Sequence, residues 1–441
     1  MSIKVKEKNI LDNIKLSFEQ SKIFNILENT SKNLYITGKA GTGKSLLLQY
    51  FVNNTKKKVI VLAPTGVAAL NVEGQTIHSF FCFTPDIQFP KIHEETKVFY
   101  KTKIILEKID TIIIDEVSMV SVDIMESINV KCQKARGNTL PFGGLQLILF
   151  GDLYQLPPVI SDPEIDRYLN DTYGGIFFFN ASVFKKSKLE IYELENIHRQ
   201  NDKKFKDILN RIRTGDNAND TINSINACIN KTIPKDGFIT LAGRNEAVNK
   251  INKEKLGQIE SREYIYIADI NGDIKESIFP TEKELHLKIG AQIMMLTNDP
   301  IKRWVNGTVG VITALNEDTV RVKINDVEHA VNRYTWDKYK YYYDPIKKEL
   351  EKEIISSFTQ FPIRLAWAVT IHKSQGKTYE SVLIDLTDGA FDAGQTYVAI
   401  SRCVSLDTLY LKEKIKSKDI IINQEIVEFM KQATIIKIEE I

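Results

Sequence analysis

Residues 38–45 read Gly-Lys-Ala-Gly-Thr-Gly-Lys-Ser, the spacing G-x-x-x-x-G-K-[ST]. The chemistry of such a run is phosphate binding. Its glycines let successive backbone N–H groups close around phosphate oxygens. A helix starting at its end adds a favourable dipole. Lys44 supplies a charge for the β- and γ-phosphates, and the Ser45 hydroxyl a ligand for Mg²⁺. Gly38, Ala40, Gly41, Thr42 and Gly43 form the backbone of the cradle. The preceding NLYITG reads as a strand and the following SLLLQYFVNN has helical spacing, the context this chemistry requires. The expectation is an ATP site.

A metal-bound nucleotide needs acids facing the cradle. The run TIIIDE ends an apolar strand in Asp115-Glu116. By itself an acidic pair there is a solvated strand end. Beside a phosphate loop, Asp115 reads as the Mg²⁺ holder and Glu116 as the group polarising the attacking water. GDLYQLPPV, residues 151–159, closes a further strand. Gln155 there either contacts the γ-phosphate or belongs to a turn fixed by Pro157 and Pro158.

The elements around these residues set the fold class. NLYITG, KVIVLAP, TIIIDE and QLILFGD are short, β-branched and bounded by turn residues, and helical stretches alternate with them. That pattern predicts a parallel doubly wound α/β sheet. A second α/β unit starts near Leu189. Between its strands, at about 300–360, the texture turns to alternating runs such as TVGVITAL and TVRVKIN, which predicts a small inserted antiparallel barrel. Residues 80–100, with prolines and aromatics, read as a projecting loop or hairpin. The chain has 441 residues, 43% hydrophobic and 26% charged, as in an ordinary multidomain globular protein. Its four cysteines are dispersed, which fits a reducing compartment. No run approaches a membrane span, and MSIKVKEKNILDN carries no targeting signal, so the expectation is a cytoplasmic protein. A net charge of +2 leaves nucleic acid open, because a local basic groove suffices to bind it.

A phosphate loop alone serves kinases, GTPases, transporters and motors. The distal segments IHRQ, with Arg199 and Gln200, IHKSQG and QTYVAISR narrow the choice. Together with LSFEQ, APTGVAALNVEGQTIHSFF, IIIDEVSMV, PFGGLQLILFGDLYQLPPV, LKIGAQIMMLTND and VNGTVG, they make the chain resemble the Pif-family DNA helicases of superfamily one, from about Leu16 to Leu411. The resemblance implies two RecA-like lobes with ATP between them. The first would span 1–188, with a wedge near 80–100. The second would comprise 189–299 and 358–441, interrupted by an SH3-like barrel at 300–357. It makes Gln20 the adenine reader and Gln155 a γ-phosphate sensor. Arg199 and Arg402 would reach across to the γ-phosphate, and Gln375 and Gly376 would complete the pocket.

The strand-to-helix turn at Thr65 suits a phosphate. By resemblance, Pro64, Thr65, Val67, Thr76 and His78 lie on the first-lobe DNA track, and His372 and Lys373 on the second. The activity implied is ATP-dependent 5′-to-3′ translocation on single-stranded DNA and unwinding of forked DNA, by a monomer in a bacterial-type cytoplasm, at the nucleoid. Several residues stay open. Phe80 and Phe81 are core or a stacking platform. Trp336, Tyr339, Tyr341, Tyr342 and Tyr343 are barrel core and hinge packing, or a stacking surface. Arg244 stands where the family usually has Thr, and either contacts phosphate or lies in solvent. His198 stands where the family usually has an aromatic. The alternatives are a RecD-like or Dda-like helicase, or a small-molecule P-loop kinase.

Overall fold

The computed structural model describes residues 15–83, 98–160, 162–197, 199–200, 202–216, 218–234, 237–274, 276, 279–301, 303–344 and 349–436. Most of the expected wedge, 84–97, lies outside them, as does His198.

The first sheet contains β1 (Asn33–Gly38), β2 (Val59–Ala63), β3 (Gln75–Thr76), β4 (Thr111–Ile114), β5 (Gln146–Phe150) and β6 (Leu189–Leu194). From the far end of the chain, β21 (Ile435–Ile436) joins them, in the order β21-β6-β1-β5-β4-β2-β3. Every pairing is parallel. Strands β1, β4 and β5 are buried along their whole length because helices cover both faces, which is why their sequences are unbroken apolar runs. Ile23, Leu47 and Phe51 pack one face, and Ile105, Met125 and Phe178 the other.

The second sheet, β18-β7-β19-β20, is also parallel: β7 (Ile239–Ala242), β18 (Ala368–Thr370), β19 (Val382–Asp385) and β20 (Leu409–Leu411). Phe205, Ile208, Leu241, Ile384 and Val398 are among its core residues.

Between β7 and β18 runs an antiparallel insertion. It comprises β8 (Glu263–Ile267), β9 (Asp269–Asn271), β10 (Glu284–Lys288), β11 (Gln292–Met295), β12 (Val309–Leu315), β13 (Val320–Ile324), β14 (Val327–Val331), β15 (Tyr334–Asp344), β16 (Glu349–Gln360) and β17 (Ile363–Leu365).

The expected boundaries shift in three places. The first lobe does not stop at 188, because β6 hydrogen-bonds along all of β1 and sends Ile191, Tyr192 and Leu194 into the first-lobe cores. The chain returns to that lobe at its end: β21 pairs with β6, and in the helix Gln424–Gln432 Phe429 stacks on Phe179 at 4.0 Å between ring centroids. The insertion begins at Glu263 rather than 300 and runs to Leu365, because Tyr266, Leu285, Leu287 and Ile293 share one core with Ile312, Val322 and Phe361.

The aromatic cluster divides as well. Trp336 packs against Phe358, whereas Tyr341 leaves the insertion and enters the first-lobe core. There the Val61 N–H donates to the Tyr341 hydroxyl at 3.1 Å, and the Tyr341 N–H donates to Gln75 Oε1 at 3.4 Å. Phe80 and Phe81 are buried core. Arg136 pins the Pro141–Gly144 turn, donating from Nε to the Gly143 carbonyl at 2.7 Å. No helix among the described residues is long and apolar enough to cross a membrane.

Candidate active site

The phosphate loop leaves β1 and enters the helix Lys44–Asn54 directly after Gly43. Gly41 has φ +85°, and a Cβ there would lie 2.5 Å from Cβ of Arg199, so only glycine lets the loop pack against that residue. The Lys44 ammonium donates to the Gly38 carbonyl at 2.6 Å and to the Lys39 carbonyl at 3.1 Å. Burial lowers its pKa, against the pull of Asp152 and Glu116. Thr42 is buried, and its hydroxyl bonds back to the Lys39 carbonyl at 3.0 Å. Gln20 sits behind the loop, capping its own helix at Ser17 and donating to the Gly43 carbonyl at 3.4 Å.

Asp115 and Glu116 follow β4 at the sheet's carboxyl edge, where open α/β sheets bind ligands. Burial, and then the neighbouring Glu116, push the Asp115 carboxyl up to about 7. Burial raises Glu116 too, opposed by Lys44 and Arg402. Glu116 is left-handed, at φ 51° and ψ 44°, a conformation that costs a non-glycine residue energy and gathers at functional sites. The donor set fits Mg²⁺. The charge of Glu116 presses the Asp115 carboxyl towards protonation, which a cation between them would relieve, and the exposed Ser45 hydroxyl has no hydrogen-bond partner within the protein among the described residues.

The second lobe supplies the opposite wall. Gln375 Nε2 donates to Glu116 Oε2 and to Gln155 Oε1, both at 3.1 Å. Arg402 is 1% exposed and is held by the carbonyls of Val398 (2.9 Å), Lys377 (3.2 Å) and Ser374 (3.4 Å) and by the Ser401 hydroxyl (2.8 Å). Arg199 donates to the Ser401 carbonyl at 3.1 Å. Burial, and then the charge of Arg402, lower its pKa to about 9. A buried guanidinium and a half-buried one that repel each other form a receptor for a spread anionic charge. Gly376 follows Gln375 and is exposed.

Three further residues of the cleft join the lobes. Tyr397 in the helix Gln395–Ser401 accepts from the Ala40 N–H at 2.9 Å and donates to Asp152 at 3.2 Å. Asp152 is fully buried and accepts from Arg213 Nε and NH2 at 3.2 and 3.1 Å. A chain of polar contacts thus crosses between the lobes three times. Asp152 stands in GDLYQLPPV and Tyr397 in QTYVAISR, motifs whose spacing shows no pairing between them, and Arg213 lies in the helix Lys203–Thr214 outside every quoted motif. The lobes also meet at Gly394, where φ is +73° and a Cβ would lie 2.3 Å from the Tyr154 carbonyl oxygen. Gly394→Ala is expected to cost about 1–3 kcal/mol in a urea melt, from backbone strain plus the clash; an unchanged urea midpoint would contradict this close approach.

The expected DNA residues collect on the same carboxyl edges. Pro64 and Thr65 follow β2, and the Thr65 hydroxyl accepts from the Ala68 N–H at 3.2 Å, leaving its own hydrogen to donate. Val67 is 48% exposed. Thr76 ends β3 and caps the next helix at the Ser79 N–H, 3.2 Å away. His78 is half-buried, and burial lowers its pKa. A cavity of about 510 Å³, lined by Gly66, Thr76, His78, Trp336, Tyr339 and Phe358, separates this group from the insertion. His372 and Lys373 follow β18 in the second lobe. Lys373 is exposed, and His372 Nε2 faces the Asp392 carboxylate at 3.3 Å.

Known proteins share this arrangement. Residues 15–223 match the family model described as PIF1-like helicase, and residues 272–315 match that of the DNA helicase Pif1 2B domain. The ATP-dependent DNA helicase Pif1 of Bdellovibrio bacteriovorus is 31% identical over 431 residues, spanning 95% of this chain and 92% of its own. A crystal structure of Bacteroides sp Pif1 in complex with ADP-AlF4 matches with a TM-score of 0.88 at 36% identity, over 95% of this chain and 97% of that one. For Bacteroides Pif1 bound to ssDNA the TM-score is 0.67 at 37% identity, over the same shares of the two chains.

Proposed function

This chain belongs to the PIF1-like helicase family, and from that footing we propose how its residues divide the work. It is an ATP-dependent DNA helicase with the 5′-to-3′ polarity of that family. The loop from Gly38 to Ser45 binds the phosphates, with Gln20 reading the adenine. Ser45 and Asp115 would hold Mg²⁺, which would supply positive charge to offset that of the phosphates. Glu116 takes the proton of the attacking water. Gln155 senses the γ-phosphate, and Arg199 and Arg402 meet the charge that develops on it. Gln375 and Gly376 close the pocket.

One observation carries this reading. Gln375, from the second lobe, bonds both Glu116 and Gln155 in the first. The base and the sensor are therefore oriented only when the lobes meet, which couples hydrolysis to closure. Pro64, Thr65, Val67, Thr76 and His78 grip the strand on one lobe, and His372 and Lys373 on the other. Alternating grip during opening and closing moves the strand. The insertion acts as an SH3-like barrel and residues 80–100 as the wedge. The protein works as a monomer on single-stranded and forked DNA in a bacterial cytoplasm, at the nucleoid.

Single-stranded DNA is expected to stimulate the ATPase strongly, and a 5′-tailed fork to be unwound with ATP and Mg²⁺. Active protein that unwinds no such fork would overturn the assignment.

A further inference from the structure

We propose that Arg244, carried on the ring of Phe391, is a phosphate clamp of the second-lobe DNA track; this rests on the helicase reading above. Three neighbouring parallel strands end side by side, in the order β18-β7-β19. His372 follows the first, Arg244 the second and Phe391 the third. Phe391 is 46% exposed, so its ring presents a face at the surface beside these strand ends. The Arg244 guanidinium lies over it at 5.1 Å, within cation–π range. The His372 ring stacks at 6.2 Å and 15°. Asp392, the next acid along the loop, is engaged by His372. Among the described residues no hydrogen bond or carboxylate occupies the Arg244 side chain. It therefore offers a planar fork of donors, oriented by the ring and unpaired, which suits a phosphodiester.

The perch is itself anchored. The Phe391 N–H donates to Gln395 Oε1 at 3.0 Å, and Gln395 opens the helix that carries Tyr397 to the phosphate loop and leads to Arg402. Gly243 leaves room for the ring: a Cβ there would lie 3.3 Å from it.

The test is fluorescence-anisotropy titration of oligo(dT) across a salt series. Removing one phosphate contact from a single strand lowers the slope of log Kd against log salt by about 0.7. Arg244→Ala should show that loss and bind several-fold more weakly at low salt. Arg244→Gln should give the same slope and covers the case in which R244A fails to fold. Arg244→Lys should keep the slope yet bind more weakly, because charge remains and the fork is lost. Phe391→Ala should likewise keep the slope and weaken binding, because the ring orients the guanidinium without carrying charge. R244A and R244Q with wild-type slope and affinity would overturn the clamp. Wild-type protein that fails to bind oligo(dT) would instead overturn the helicase reading beneath it.

Discussion

Arg402→Ala is expected to bind ATP and hydrolyse it about 10³–10⁵ times more slowly, the span seen when a cationic finger is removed from a phosphoryl-transfer site. The expectation follows from where the guanidinium sits. It is buried, fixed by second-lobe carbonyls, and close enough to Glu116 for each to shift the other's ionisation. Its charge is desolvated, so its pull on a developing phosphate charge is stronger than in water. Its fixed position means that little reorganisation is needed at the moment of reaction. The phosphate loop proposed to hold the nucleotide lies on the opposite lobe, so binding should survive. Single-turnover hydrolysis with saturating single-stranded DNA, alongside fluorescent-ATP binding, separates the two effects. A kcat within tenfold of wild type would remove Arg402 from the proposed machinery. A melting curve should accompany it, because four second-lobe groups lose a donor in the same variant.

The second large effect is expected for Glu116→Gln. The substitution keeps shape and removes basicity. The Gln375 amide can still donate to the new carboxamide oxygen, so the bridge between the lobes persists. What disappears is the proposed proton acceptor, a role worth about 10²–10⁴ in rate. ATP affinity should stay within a few-fold of wild type, and fork unwinding should stop. Near-normal turnover would instead leave Glu116 as a structural residue that tolerates a left-handed backbone, and the base would have to be sought elsewhere.

Much of this site is legible in the sequence because it is local. The phosphate loop and the Asp115-Glu116 strand tip combine residue type, spacing and an apolar strand in one window. What the sequence conceals is pairing over long separations. Strand β21 is two residues long and β3 is another two, too short for any periodicity to show. Strand β8, EYIYI, reads as equally at home in a lobe or in the insertion, and only its core partners decide. Tyr341 lies in a run of tyrosines, yet its hydroxyl serves the first lobe, because the open edge of β2 beyond the short β3 leaves the Val61 N–H needing an acceptor. The Ala40–Tyr397–Asp152–Arg213 chain joins residues from both lobes, a pairing that no single window of sequence contains.

The return of β21 and the helix Gln424–Gln432 to the first lobe carries a mechanical consequence. The second lobe is bound to the first by two covalent straps, one after β6 and one before Gln424, rather than swinging on one. A body held at two points keeps essentially one soft rotation, about the line joining them. Most of the translational and orientational entropy that a free lobe would lose on meeting its partner is thus already removed by connectivity. In the proposed cycle each turnover would move the lobe along one arc, directing a nucleotide's binding energy into a displacement of fixed direction.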